Sequence, residues 1–169
     1  AYTLEHFFDP VSGMFFYTND QYADLVARKM ELSDNVIPSS NSAMAKNLFL
    51  LGHFYGNDEY INMAKQMLVN VAVDVARNIY FYANWGILQA WLSAPLYEVA
   101  ILGEDYMNLR QQFDRHYLPN MILLGGKTGG SLALLENKGV PGQTTVYVCR
   151  DKTCELPVME VEKALRQIA

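Results

Sequence analysis

Apolar residues recur every three or four positions through three consecutive stretches in the first half of the chain. In residues 40–55 the apolar positions Ala43, Met44, Ala45, Leu48, Phe49, Leu50, Leu51 and Phe54 run most of the way round a helix. That pattern predicts burial on more than one side, and Gly56-Asn57 is a good stop signal. Residues 58–76 differ. Tyr60, Met63, Ala64, Met67, Leu68, Val71, Ala72 and Val75 keep one face, while Glu59, Asn62, Lys65, Gln66, Asn70 and Asp74 keep the other, so this helix has one wet side. In residues 78–93, Tyr80, Phe81, Tyr82, Trp85, Leu88 and Trp91 again spread around the axis. Buried, one-sided, buried is the alternation expected of helical hairpins in two concentric layers, whereas a plain bundle would give three one-sided helices. The reading is a mainly α chain whose residues 1–94 form part of an α/α toroid.

The pattern changes after residue 94. Residues 95–103 read as a strand, 104–117 as a helix with Tyr106, Leu109, Phe113 and Tyr117 on one side, and 121–124 as a second strand. Strand, helix, strand at this spacing predicts a βαβ unit with parallel strands. Residues 144–149 read as a further strand, and a last helix from about residue 158 turns Val161, Ala164, Leu165 and Ile168 inward. Residues 95–169 are therefore expected to be a small βαβ appendage, in one compact unit with the helices. Ahead of the helices, residues 9–37 form a long connection, with short strands expected at 14–17 and 25–27. The chain opens on Ala1, inside what reads as a helix carrying Leu4, Phe7 and Phe8 until Asp9-Pro10 breaks it. A fragment of a longer protein is expected.

Composition narrows the function classes. The chain has 169 residues, enough for a sizeable core. Only 18% are charged and 51% are hydrophobic, so much surface must be buried against a core or a partner. A net charge of -5 without a basic patch argues against nucleic acid and against an anionic membrane surface. No apolar run approaches the roughly 20 residues of a membrane span, and no signal peptide is visible. A cytoplasmic location is expected, and nothing in the sequence calls for a cofactor.

The run Glu31 to Lys46 is unusual. It gathers Asp34, Asn35, Ser39, Ser40, Asn41 and Ser42 around Pro38, directly before an apolar helix. Capping and a turn account for about two of these polar groups. The others could face a ligand, since small hydrogen-bonding groups beside aromatics such as Phe16 suit a polyhydroxy molecule. Arg28, in the same loop, could orient the Asp34 carboxylate. Glycoside chemistry needs two carboxylates at a set separation, and Asp9, Asp20, Asp24, Glu31 and Asp34 are all candidates. Trp85, beside Gly86, is either core or cavity wall.

Cys149 and Cys154 are the only cysteines and have four residues between them in YVCRDKTCELPV. A disulfide is possible if the backbone turns back. A zinc site would need two more ligands, and His6, His53 and His116 lack ligand spacing to the pair. A structural or redox-active thiol pair ranks ahead of metal. The run GGKTGG, Gly125 to Gly130, fails the phosphate-loop pattern, because Met121 stands where the first glycine should be. It reads as a flexible loop.

Three pieces together, RKMELSDNVIPSSNSAMAKNLFLLGHFYG, PLYEVAILG and YVCRDKTCELPV, resemble the C-terminal part of the spermatogenesis-associated, thioredoxin-like-domain protein family. Arg28, Glu31, Asp34, Asn35, Pro38, Ser39, Asn41 and Ser42 match the family's first motif, with Ser40 in place of its usual Gly. Cys149, Cys154, Pro157 and Val158 match its last. The resemblance implies a parent with a thioredoxin-like domain followed by a toroid similar to the six-hairpin glycosidases and to N-acylglucosamine 2-epimerase. Two functions follow as expectations. The chain is a carbohydrate-binding or carbohydrate-active domain with Arg28, Asp34, Asn35, Ser39, Asn41, Phe16 and Trp85 around a sugar, or a docking domain for the thioredoxin-like domain with a thiol role for Cys149 and Cys154. Whether it is an enzyme stays open. Uncovered helix faces in a partial toroid would make the isolated chain self-associate.

Overall fold

The computed structural model describes residues 2–21 and 27–168. Most of the strand expected at 25–27, and the candidate Asp24, lie outside the described residues. The elements run α1 (Tyr2–His6), β1 (Phe8–Asp9), β2 (Met14–Phe15), α2 (Ser40–Tyr55), α3 (Asp58–Arg77), a 3-10 turn (Ile79–Phe81), α4 (Ala83–Ser93), β3 (Tyr97–Leu102), α5 (Tyr106–Phe113), β4 (Met121–Gly126), β5 (Thr145–Arg150), β6 (Thr153–Cys154) and α6 (Val161–Gln167). The chain divides into two compact units, residues 1–52 with 57–92, and residues 53–56 with 93–169.

In the first unit the buried positions of α2 are Asn41, Ser42, Ala45, Leu48, Phe49 and Gly52. Their spacing of three and four makes a single stripe, with Asn47, Leu51 and Tyr55 exposed. The helix is one-sided, although its sequence is apolar nearly all round. α3 buries Ala64, Met67, Val71 and Val75, the stripe its periodicity predicts. Asn57 starts it, its side-chain oxygen accepting from the backbone N–H of Glu59 and Tyr60. The third expected helix is broken at Tyr82 into the 3-10 turn and α4, where only Trp85 and Leu88 are buried. Tyr80, Phe81 and Ile87 are exposed.

The second unit is built on a four-stranded mixed sheet of order β4-β3-β5-β6. β3 and β4 are parallel and joined through α5, while β5 runs antiparallel to β3 and β6 antiparallel to β5. The sheet is covered on both faces. Val99, Ile101, Val146 and Val148 point to the side packed by Leu109 and Phe113 of α5 and Val161 and Ala164 of α6. Ala100, Leu102 and Cys149 point to the other, beneath Leu134 and Leu135. A strand buried on both faces reads as a continuous apolar run, which is why YEVAIL lacks alternation.

These observations overturn the mainly α reading and the partial toroid. The chain is mixed α/β, and among the described residues no toroid forms. The alternation that suggested concentric layers is absent, because α2, α3 and α4 are each buried along one side. The β part is also more than an appendage, since its sheet carries a core on each face.

Candidate functional site

An α-helix leaves its first backbone N–H groups without intrahelical partners. At the start of α2 the polar run supplies partners for them. Ser39 N–H donates to Asp34 Oδ1 at 2.9 Å, Ser40 N–H to Glu31 Oε2 at 3.1 Å, Asn41 N–H to the Glu31 carbonyl at 3.4 Å and Ser42 N–H to Ser39 Oγ at 3.1 Å. Asp34 reaches further. Its Oδ1 also accepts from Ser42 Oγ at 2.7 Å, and its Oδ2 accepts from Asn84 N–H at 2.8 Å, in the first turn of α4. One buried carboxylate thus serves two helix N-termini, where negative charge is favoured. Burial opposes its ionised form, but the hydrogen bonds from Ser39, Ser42 and Asn84 prevail and hold its pKa below the usual value.

Asn41 is fully buried and acts as a strand substitute. Its Oδ1 accepts from Phe15 N–H at 2.8 Å, and its Nδ2 donates to the carbonyls of Phe15 at 2.8 Å and Glu31 at 3.0 Å. The Trp85 indole is fully buried and donates to the Leu32 carbonyl at 2.7 Å, which also accepts from Ser39 Oγ at 3.1 Å. Asp34, Ser39, Asn41 and Trp85 are therefore brought together, with these polar atoms directed at protein groups. Asn35 is exposed nearby. Arg28 lies apart from that hub. Its guanidinium donates to the carbonyls of Thr18 and His6 and sits 4.0 Å from the centre of the half-buried Phe16 ring.

The other carboxylate candidates have local duties. Asp9 accepts from Val11 N–H and from the N–H and hydroxyl of Ser12, closing the turn between β1 and β2. The Ser12 hydroxyl contributes most to a lowered Asp9 pKa. Asp20 meets His6 Nδ1 at 2.9 Å, and in the second unit Glu98 meets His53 Nδ1 at 2.7 Å. Among the described residues no group of three or more His, Cys, Asp or Glu is gathered as metal ligands.

Cys149 and Cys154 are joined in a disulfide. The reason lies in the hairpin. Glu155 N–H donates to the Val148 carbonyl at 2.9 Å, so Val148 and Glu155 are a hydrogen-bonded pair and Cys149 and Cys154 the next, non-hydrogen-bonded one. In such pairs the side chains stand closest. The loop between the strands is Asp151-Lys152, with φ of 51° and 65°, the left-handed backbone of a type I′ turn. Cys149 is buried on the Leu134–Leu135 side of the sheet, while Cys154 is exposed on the sheet's short edge strand.

A cleft of about 480 Å³ opens beyond the carboxyl ends of β3 and β4, lined by residues 102–104, 127–129 and 138–144. Gly103 N–H donates to the Gly126 carbonyl at 3.0 Å and ties the first two loops together. Lys127 Nζ lies 2.8 Å from Glu104 Oε2, a carboxylate that raises the Lys127 pKa. The sequence offered only GGKTGG as a signal for this place. Residues 138–144 match no motif and reach it through the return of β5.

No protein-family model matches the chain, and no solved structure does. The chain is similar to spermatogenesis-associated protein 20 of Mus musculus, with 26% identity over 176 residues. The match takes in 95% of this chain and 22% of the mouse protein, so the chain spans about a fifth of the length of the curated relative it matches. The similarity fits a domain of a larger protein. No helix among the described residues is long and apolar enough to cross a membrane.

Proposed function

We propose that this chain is a module of a larger protein that presents a reducible cystine, Cys149–Cys154, to a dithiol partner, the thioredoxin-like domain that the family resemblance implies. The observation that carries this reading is the edge hairpin. It combines an exposed Cys154 with a tight loop in which two non-glycine residues hold positive φ. Left-handed backbone costs an L-residue roughly 1–2 kcal/mol, so opening the cystine also lets the loop relax. In the exchange, a partner thiolate attacks Cys154 Sγ and forms a mixed disulfide. The Cys149–Cys154 bond breaks, and Cys149 leaves as a thiolate that takes up a proton. The partner's second thiolate then attacks its own sulfur in the mixed disulfide and releases Cys154. Two electrons pass from the dithiol to this chain. A sugar-binding role for the polar run has less to rest on, since the buried groups of Asp34, Ser39 and Asn41 already have protein partners.

The test is a redox titration of the chain in glutathione buffers, read by alkylation and mass. The pair is expected to be half reduced within the glutathione range, at about −200 to −300 mV. The oxidised chain is expected to form a mixed disulfide through Cys154 with a thioredoxin that lacks its resolving cysteine, Cys149 leaving as the thiolate. Cys149→Ser, with no disulfide to attack, is expected to form none. A pair that stays oxidised in buffers poised well below about −300 mV is a structural staple, and the proposal fails.

A further inference from the structure

The loop Gly125 to Gly130 fails as a phosphate-loop motif on spacing. The tertiary structure nevertheless gathers it with two other loops around the cleft beyond β3 and β4. Open α/β sheets take ligands outside the carboxyl ends of parallel strands, and about 480 Å³ suits a small molecule. Gly142, at φ 75°, has no atom within 4 Å of where a Cβ would stand, so its backbone borders open space. Gly103 (φ 136°) lets the first loop press against the third, since a Cβ there would stand 2.5 Å from Thr144 Cα.

The charge of the lining favours an anion. Lys127 and Lys138 come from two different loops, and Glu104 is the acidic residue among those lining the cleft. The formal charges of the lining residues sum to +1, and Lys138 Nζ stands 6.0 Å from the centre of the Tyr147 ring. Glu104 already holds Lys127 at 2.8 Å. A ligand carboxylate would bring no more charge than Glu104 supplies, whereas a phosphoryl group brings about −1.5 to −2. Only the latter has a clear advantage in competing for Lys127. Thr128 and Gln143 add neutral hydrogen-bonding groups, and Leu102 and Val140 add apolar wall for an organic portion. We infer that this cleft binds a small organic phosphomonoester through Lys127 and Lys138.

The test is a calorimetric and amide-shift titration of the whole chain with glycerol phosphate, glucose phosphate and adenosine monophosphate. Glycerol, glucose, adenosine and inorganic phosphate serve as controls. At least one monoester is expected to bind more tightly than its unphosphorylated form and than inorganic phosphate, moving the amides of Gly103 and Gly142. Lys127→Ala with Lys138→Ala is expected to weaken it at least about tenfold, since charge-assisted contacts are lost. Lys127 is exposed and Lys138 half-buried, and an unchanged amide spectrum elsewhere checks that the variant folds. No binding of any monoester at millimolar concentration overturns the assignment. So does binding that the double substitution leaves intact, or inorganic phosphate binding as tightly as every monoester.

Discussion

Burial pushes the Asp34 carboxyl toward its neutral form, and the donors Ser39 N–H, Ser42 Oγ and Asn84 N–H push it back. Because the folded pKa is depressed, the contribution of Asp34 is complete above the unfolded value of about 3.9 and is lost as pH falls through the lower folded value. Asp34→Asn is expected to flatten the acid side of the urea-midpoint profile below about pH 4. Asp34→Ala removes the acceptor for all three donors, and a loss of about 2–4 kcal/mol at neutral pH is expected from urea unfolding. A loss under about 0.5 kcal/mol, the ordinary size of a surface change, would mean that water replaces the carboxylate without cost. That Ser39 caps a helix was legible from its place before an apolar run, whereas Asp34 read as part of a turn or of a ligand site. That the Asp34 carboxylate also reaches α4, fifty residues on, was not legible, because nothing local links residues 34 and 84.

At the scale of single elements, the CRDKTC hairpin offers the sharpest case. Asp151 and Lys152 both hold positive φ without being glycine, while type I′ turns favour Asn-Gly or Asp-Gly. Lys152→Gly is expected to stabilise the chain by about 1 kcal/mol, measured by thermal unfolding of the oxidised form. If the cystine hairpin works as proposed, the same substitution makes the pair harder to reduce, and the glutathione titration reads that shift. The cysteine spacing alone left a disulfide, a thiol pair and a weak metal site open. Register decided among them, since it sets Cys149 opposite Cys154. Helix α2 is the opposite case. Its apolar residues run most of the way round, yet only the stripe from Asn41 to Gly52 is buried. Periodicity counts apolar residues but does not record which of them find a neighbour.

Each of the two units carries its own buried residues. Phe113 is 1% exposed within the sheet-and-helix core of the second. Phe113→Ala is expected to cost about 3–5 kcal/mol and to speed amide exchange through β3 and β5. Exchange in α3, whose buried stripe belongs to the first unit, is expected to change much less. Equal acceleration in both would show that the chain opens as a single cooperative body.

The sequence by itself determined α2, α3, α5 and β3 to β5 to within a few residues, but not β1, β6 or the break at Tyr82. The N-cap of α3, the stripe along that helix and the apolar run of β3 are set by local hydrogen bonding and by periodicity, both written over a few neighbouring residues. Only the tertiary structure decided the fold class, the pairing of β5 beside β3, the joining of Cys149 to Cys154 and the meeting of Lys127 with Lys138 around one cleft. These depend on which distant segments lie side by side, and the free energy that selects them comes from burying both faces of the sheet at once rather than from any local pattern.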